Sequence, residues 1–131
     1  MTNDPSPAAR ILVVDDNESI TTTFGWMIEA LGHEAHVVRD GVSALTEARS
    51  YLPDVILLDI NMPGMNGYEV CQILRTEPKL ANCIFIAQTG WTESEHVEHA
   101  MQAGFDYHWA KPIPMDRLEK LLNSVNRRSA V

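Results

Sequence analysis

The chain has 131 residues, of which 45% are hydrophobic and 21% are charged. This composition predicts one globular domain, and the longest apolar runs, at 11–14 and 55–58, are far too short to span a bilayer. Ten basic against 18 acidic residues give a net charge of −8, which disfavours direct binding to nucleic acid or to an anionic membrane. Cys71 and Cys83 lack metal-site or disulfide-framework spacing, and no secretory signal is visible. We therefore expect free thiols in a cytoplasmic protein.

Short apolar runs alternate with helical stripes along the chain. The runs predict strands at 11–14, 35–38, 55–58, 83–87 and 105–110, and apolar residues at three- and four-residue spacing predict a helix after each strand. Gly32, Pro53 and Gly104 end the first, second and fourth of these helices, and Pro114 begins the fifth. The domain is expected at 10–126, with a flexible N-terminal tail at 1–9 and a C-terminal tail at 127–131.

The third strand, 55–58, is apolar at every position. Continuous apolar sequence is typical of a strand that is covered on both faces, as in a parallel sheet with helices on each side. Five strand-helix units therefore predict an α/β fold with an open, doubly wound parallel sheet. Functional sites of such sheets form at the carboxyl ends of the strands.

Polar residues follow four of the five predicted strands. They are Asp15 and Asp16 after the first strand, Asp59 after the third, Thr89 after the fourth and Lys111 after the fifth. Each of them alone has an ordinary structural explanation, such as a helix cap or a surface charge. Three carboxylates at one edge repel one another, however, and a bound Mg²⁺ or Mn²⁺ ion would relieve that repulsion. A carboxylate beside such an ion can act as a nucleophile toward phosphorus.

These residues belong to longer motifs, namely VVDDN at 13–17, LLDINMPGMNG at 57–67, QTG at 88–90, AGFDYH at 103–108 and KP at 111–112. The motifs and their spacing resemble the receiver domain of two-component response regulators, over residues 10–125. The resemblance implies a flavodoxin-like (βα)5 fold with a five-stranded sheet in the order 2-1-3-4-5. It also implies a signalling phosphoacceptor, which catalyses only its own phosphorylation and dephosphorylation and is otherwise not an enzyme.

The resemblance assigns a role to each site residue. Asp59 is the expected phosphoacceptor, and it receives a phosphoryl group from a phosphohistidine on a histidine kinase or a histidine phosphotransfer protein. The implied Mg²⁺ ligands are Asp15, Asp16, Asp59 and the backbone carbonyl of Asn61. Thr89 is the implied switch hydroxyl, and Lys111 contacts the phosphoryl group.

Two positions depart from the family pattern. His108 stands three residues before Lys111, where the family commonly has the Tyr or Phe of a rotameric switch. Trp91 stands two residues after Thr89, and together with Asn61 it occupies a position that tunes hydrolysis of the phosphorylated form. The Gly90-Trp91 pair is more similar to receiver domains attached to hybrid histidine kinases, so both a stand-alone receiver and a fragment of a hybrid kinase stay open.

The predicted output is a protein contact, a phosphorelay step or, if the chain is a fragment, a domain outside the given sequence, and no direct DNA binding is expected. The surface expected to change is formed by the fourth helix, the fifth strand and the fifth helix, and it would bind a downstream protein or a second copy of the chain. The fourth helix has the fewest apolar residues, with only Val97, Ala100 and Met101 expected to face inward.

Two other functions use the same fold or the same chemistry. A flavin- or nucleotide-binding flavodoxin-like module is disfavoured because the loop after the first strand has no glycine-rich phosphate motif. A magnesium-dependent aspartyl-phosphate phosphatase is disfavoured because Asn61 cannot act as a general acid. His96 and His99 are interpreted as solvated helix residues, and Met27, Met101 and Met115 as core residues.

Overall fold

The computed structural model describes residues 9–60, 62, 64–89, 101–110 and 113–125. Its five strands are β1 (Arg10–Val14), β2 (Glu34–Val38), β3 (Val55–Asp59), β4 (Ile84–Thr89) and β5 (Tyr107–Ala110). Its helices are α1 (Glu18–Ala30), α2 (Gly41–Tyr51), α3 (Gly67–Leu74), a helical segment at 101–103 (α4) and α5 (Met115–Val125). A 3-10 turn at Pro78–Leu80 precedes β4.

All strand pairs are parallel, and the sheet order is β2-β1-β3-β4-β5. This confirms the predicted doubly wound fold and its strand order. β3 lies at the centre and is buried at all five positions, as its continuous apolar sequence predicts. Because every strand points the same way, the carboxyl ends of β1, β3 and β4 meet at one edge of the sheet.

Alternate side chains of the strands enter two separate cores. Leu12, Ile56 and Phe85 belong to the core on the side of α2 and α3. Val13, Leu57 and Ile86 belong to the core on the side of α1 and α5. Successive side chains of a strand point to opposite faces of the sheet, so residues two apart share a face. The position of a residue along its strand therefore shows which of the two cores it faces.

Arg75, at the end of α3, ties this helix to the strands beside it. Its guanidinium donates 2.7 Å to the Gly104 carbonyl and 3.0 Å to the Cys83 carbonyl, and it forms an ion pair with Asp106. It also lies 4.3 Å from the centre of the Phe85 ring. Gly104 has a φ of +109°, which confirms the predicted helix end at this glycine.

The structure differs from the sequence predictions at several positions. β4 begins and ends later than 83–87, and β5 is shorter than 105–110. Met27 and Met101, predicted as core residues, are 37% and 54% exposed. Ala9, predicted in the flexible tail, is buried, and its N–H donates 3.0 Å to His33 Nδ1. The remaining residues of both predicted tails lie outside the described residues, so the domain limits stay predictions.

Among the described residues, no helix combines the length and the apolar character that crossing a membrane requires. The two cysteines are free thiols, and both are buried.

Candidate functional site

Three carboxylates meet at the carboxyl edge of the sheet. Asp15 directly follows β1, and Asp59 is the last residue of the neighbouring strand β3. One carboxylate oxygen from each of Asp15, Asp16 and Asp59 lies within 4.8 Å of the other two. Asp15 and Asp59 are buried, whereas Asp16 is exposed. The sequence prediction that these three side chains meet is therefore confirmed.

The loop after β1 is held by hydrogen bonds on both sides of the acidic pair. The Asp15 N–H donates 3.2 Å to the Val38 carbonyl, and Asp15 Oδ1 accepts from the Asn17 N–H at 2.9 Å. The Asn17 side chain then caps α1 by accepting from the Ile20 N–H at 3.2 Å. These bonds fix Asp15 between a strand end and a helix start, which limits how far its carboxylate can turn away.

Asp59 is held in place by two backbone hydrogen bonds of the next residue, Ile60. The Ile60 N–H donates 3.1 Å to the Gln88 carbonyl on β4, and the Gly67 N–H donates 3.2 Å to the Ile60 carbonyl. Asn66 caps α3 reciprocally with Glu69, so the helix begins at a fixed point behind the strand end. The loop that leaves Asp59 therefore returns directly to the same strand end.

A glycine is required where α3 returns to β3. A Cβ on Gly67 would stand 2.5 Å from the Asp59 carbonyl oxygen and 2.9 Å from the Ile60 Cα, closer than real Cβ contacts. Neither this contact nor the α3 cap was predicted. The Asn66-x-x-Glu69 spacing is typical of a capping box and could have predicted the cap. No local sequence pattern predicts the close approach of Gly67 to the backbone.

Thr89 ends β4 beside the carboxylates. It is buried, and the residue before it pairs in register with Asp59. On the next strand, His108 pairs with Ala87 and is half-buried, whereas Trp109 belongs to the core on the side of α1 and α5. His108 therefore faces the same side of the sheet as Ala87, and Trp109 faces the other side.

The donor set suits a hard divalent cation. Mg²⁺ prefers carboxylate oxygens at about 2.0–2.1 Å, and two ligands of one ion then lie within about 4 Å of each other. The three carboxylates already approach this separation, and an ion between them would offset a charge that otherwise disfavours two buried acids. The residues present therefore fit a Mg²⁺ ion.

Three predicted site residues, Asn61, Trp91 and Lys111, lie outside the described residues. The same holds for the predicted fourth helix up to Ala100, including Val97, His96 and His99. Their predicted roles stay predictions. Met101 is exposed rather than inward-facing.

Comparison with known proteins supports one family. The DNA-binding response regulator MtrA of Mycolicibacterium paratuberculosis is 33% identical over 120 residues, which cover 92% of this chain and 52% of MtrA. The chain thus spans about half the length of the MtrA proteins that it matches. The polar-differentiation response regulator DivK of Brucella anthropi is 34% identical over 114 residues, which cover 87% of this chain and 93% of DivK.

A solved structure agrees with this result. The receiver domain of the sensor histidine kinase PA1611 from Pseudomonas aeruginosa superimposes with a TM-score of 0.81 and 28% identity, over 91% of this chain and 98% of that domain. That structure holds a magnesium ion in its active-site cleft. The family model for the response regulator receiver domain matches residues 11–123. The chain belongs to the response regulator receiver domain family.

Proposed function

We propose that Asp59 accepts a phosphoryl group from a phosphohistidine of a histidine kinase or a histidine phosphotransfer protein. The observation that carries this proposal is the meeting of Asp59 with Asp15 and Asp16 at the end of the central strand. An oxygen of the Asp59 carboxylate forms the new bond to phosphorus, and the bond from phosphorus to the histidine nitrogen breaks. The ring of the phosphohistidine carries a proton on its other nitrogen, and the leaving nitrogen keeps the electron pair of the broken bond. The products are therefore an acyl phosphate on Asp59 and a neutral imidazole on the partner.

Asp15, Asp16 and Asp59, with the backbone carbonyl of Asn61, would hold a Mg²⁺ ion. When bound, the ion offsets the negative charge of the carboxylates and of the incoming phosphoryl oxygens. Asp15 is fixed by the Asn17 N–H, and Asp59 is fixed by the contacts of Ile60 and Gly67, so both carboxylates keep their positions as the phosphoryl group arrives. Thr89 and Lys111 are the proposed donors to the phosphoryl oxygens.

Phosphorylation with a small donor tests the assignment of Asp59. We expect one phosphoryl group per chain with phosphoramidate and Mg²⁺, measured as intact mass, and no gain in Asp59→Asn, because an amide oxygen does not form the acyl phosphate. Asp116→Asn, an exposed position on α5, is the matched control and should label like the native chain. Equal labelling of Asp59→Asn would contradict the assignment, as would undiminished labelling after removal of divalent ions.

The role of the chain is signalling, and we propose that it turns over no external phosphate ester. With Asn61 two residues after Asp59, the motif offers no carboxylic acid there that could protonate a leaving group. Sustained release of phosphate from p-nitrophenyl phosphate, lost in Asp59→Asn, would instead identify the alternative function of an aspartyl-phosphate phosphatase.

The remaining proposals concern the setting of the protein. We propose a cytoplasmic location, and a downstream protein or a second copy of the chain as the partner of the surface formed by the fourth helix, β5 and α5. Size-exclusion chromatography with light scattering, before and after phosphorylation, distinguishes the two partners, because only self-association changes the mass of the isolated protein. The MtrA relatives are DNA-binding proteins. For this domain we propose no direct contact with nucleic acid, because its net charge of −8 repels the phosphate backbone.

A further inference from the structure

One arginine joins four segments of the chain at the amino ends of β4 and β5. Arg75 directly follows α3, and its side chain is partly buried. Its Nε donates 2.7 Å to the Gly104 carbonyl, and its Nη1 donates 3.0 Å to the Cys83 carbonyl. Its Nη2 forms an ion pair with Asp106, which directly precedes β5. Because a planar guanidinium presents its donors in fixed directions, these three contacts fix the segments relative to one another.

Asp106 continues the pairing of β4 with β5 at the amino end of the two strands. Its N–H donates 2.8 Å to the Phe85 carbonyl, and its Oδ2 accepts from the Phe85 N–H at 2.8 Å. The same oxygen accepts from Arg75, whose guanidinium carbon lies 4.3 Å from the centre of the Phe85 ring. The positive charge of Arg75 therefore supports the carboxylate that holds the start of β5 on β4.

The backbone at Gly104 leaves room for the arginine. Gly104 has a φ of +109°, and a Cβ there would stand 2.9 Å from Arg75 Cγ, closer than real Cβ contacts. Glycine is the residue with the greatest backbone freedom, so this position could act as a hinge. Its carbonyl is bound by Arg75, however, and its N–H donates 3.1 Å to the Met101 carbonyl. The junction between the helical segment at 101–103 and β5 is therefore restrained on both sides of the glycine.

The contacts of Arg75 lie at the opposite end of β4 from the carboxylate site. Phe85 is the second residue of β4 and Thr89 is the last, so about 13 Å of strand separates them. Asp59 adjoins the carboxyl end of β4 through its pairing with Gln88. A structural change that starts at Asp59 therefore reaches the carboxyl end of β4 first, whereas the amino end is held by Arg75.

We propose that Arg75 makes the amino ends of β4 and β5 the fixed end of the phosphorylation switch. This inference rests on the proposed phosphorylation of Asp59. With the amino ends held, the rearrangement that follows phosphorylation is confined to the carboxyl edge of the sheet and to the chain before Gly104. Arg75 is a positioning residue, because its contacts lie at the other end of β4 from the reacting atoms.

Amide exchange of the full chain, resolved by residue with NMR, tests the proposal. The reporter amides are those of Phe85, Gly104 and Asp106, and the amide of Thr89 reports the carboxyl end of β4. Without phosphorylation, the reporter amides should exchange about tenfold faster in Arg75→Gln than in the native chain, because their charge-assisted support is lost. Phosphorylation with phosphoramidate and Mg²⁺ should alter exchange at Thr89 alone in the native chain. In Arg75→Gln it should also alter the reporter amides, by about fivefold.

Two further variants keep the test interpretable. Arg49→Gln is the matched control, because Arg49 forms an ion pair with Glu77, 3.1 Å apart, between α2 and the segment after α3. Its reporter amides should exchange as in the native chain. If Arg75→Gln does not fold, Asp106→Asn replaces it. Asp106→Asn removes the ion pair but keeps an oxygen for the Phe85 N–H, so the same effects should be present at a smaller size.

Intact mass gives the phosphorylation of each sample and separates the two claims. A native chain that gains no phosphoryl group contradicts the proposed function, and the comparison without phosphoramidate still tests whether Arg75 holds the strand ends. Three results would overturn the inference: native exchange of the reporter amides in unphosphorylated Arg75→Gln, changes at these amides as large as those at Thr89 in the phosphorylated native chain, or no change at them when Arg75→Gln is phosphorylated.

Discussion

Gly67 packs directly on the backbone of Asp59: a Cβ at Gly67 would stand 2.5 Å from the Asp59 carbonyl oxygen. The start of α3 is therefore pressed against the end of the strand that carries the proposed phosphoacceptor. Any larger side chain has to move either the helix or Asp59.

Gly67→Ala should therefore impair both stability and phosphorylation. Overpacking against backbone costs about 1–3 kcal/mol, which urea unfolding measures, and displacement of Asp59 should slow labelling by phosphoramidate. Gly25→Ala, within α1, is the matched control, because a Cβ there meets only Val37 Cγ1 of β2 at 3.6 Å, an ordinary van der Waals contact. Gly25→Ala should be as stable as the native chain or more stable. Native stability and native labelling in Gly67→Ala would contradict this close approach.

His108 is the proposed link between phosphorylation and the output surface. It is half-buried on β5, on the same face of the sheet as Ala87, next to the strand that ends at Thr89. His108→Ala should still accept phosphate on Asp59, but it should lose the phosphorylation-dependent changes in amide exchange at 92–104.

The exposed neighbour Tyr107 provides the control for His108. Tyr107→Ala removes a ring that lies 5.8 Å from the Trp109 ring on the other face, so the exchange changes should persist. Exchange changes that also persist in His108→Ala would show that the signal leaves β5 elsewhere, with Trp109 as the next residue to substitute.

Trp91 should prolong the lifetime of the phosphorylated form. It lies two residues after Thr89, and an indole cannot orient a water molecule for attack on phosphorus as a carboxylate can. We expect faster loss of phosphate in Trp91→Glu and in Trp91→Ala than in the native chain, followed by intact mass over time. Unchanged decay in both variants would remove Trp91 from the control of hydrolysis.

Cys71 should be unreactive in the folded protein. Burial raises the pKa of its thiol to about 12, against the opposing effect of the nearby Arg75 guanidinium. At pH 8 the thiolate is then roughly one part in ten thousand of the total. Because the thiol pKa is higher in the folded state than in the unfolded state, the neutral Cys71 thiol favours folding. Its contribution to the free energy of unfolding is complete below the ordinary thiol pKa and is lost as pH rises toward 12.

Labelling with a disulfide reagent measures this property. In Cys83→Ala, where Cys71 is the remaining thiol, we expect no reaction at pH 8 in buffer and complete reaction in urea. Reaction of the folded Cys83→Ala protein at the rate of an exposed thiol would show that the core around Cys71 opens readily.

The site was predictable where strand direction alone decides it. Asp59 and Thr89 each end a strand and Asp15 directly follows one, and parallel strands bring their ends to one edge whatever the details of packing. The apolar stripe of α1 predicted the burial of individual side chains less well. Periodicity predicts which face of a helix is inward but not how closely the neighbouring helix approaches, so Met27 borders a cavity while Thr21 is buried. Thr21 tolerates burial because its hydroxyl donates 3.0 Å to the Glu18 carbonyl.

Gln88 shows the same limit in the sheet. Its place in the QTG motif marks the strand end, but the burial of its amide without a hydrogen-bond partner among the described residues depends on where α1 and α5 lie. The approach of Gly67 to Asp59 is likewise a tertiary contact between a helix start and a strand end. Local sequence patterns do not predict such tertiary contacts, because the contacts depend on how the helices and strands pack together.

The most direct test of the central claim is the chemical identity of the phosphorylated residue. After phosphorylation with phosphoramidate and Mg²⁺, borohydride reduces an aspartyl phosphate to homoserine, which peptide mass analysis locates. We predict homoserine at position 59 alone, and at no position when Mg²⁺ is withheld. Homoserine at Asp15 or Asp16, or phosphate retained on a peptide that lacks Asp59, would contradict the assignment of Asp59 as phosphoacceptor.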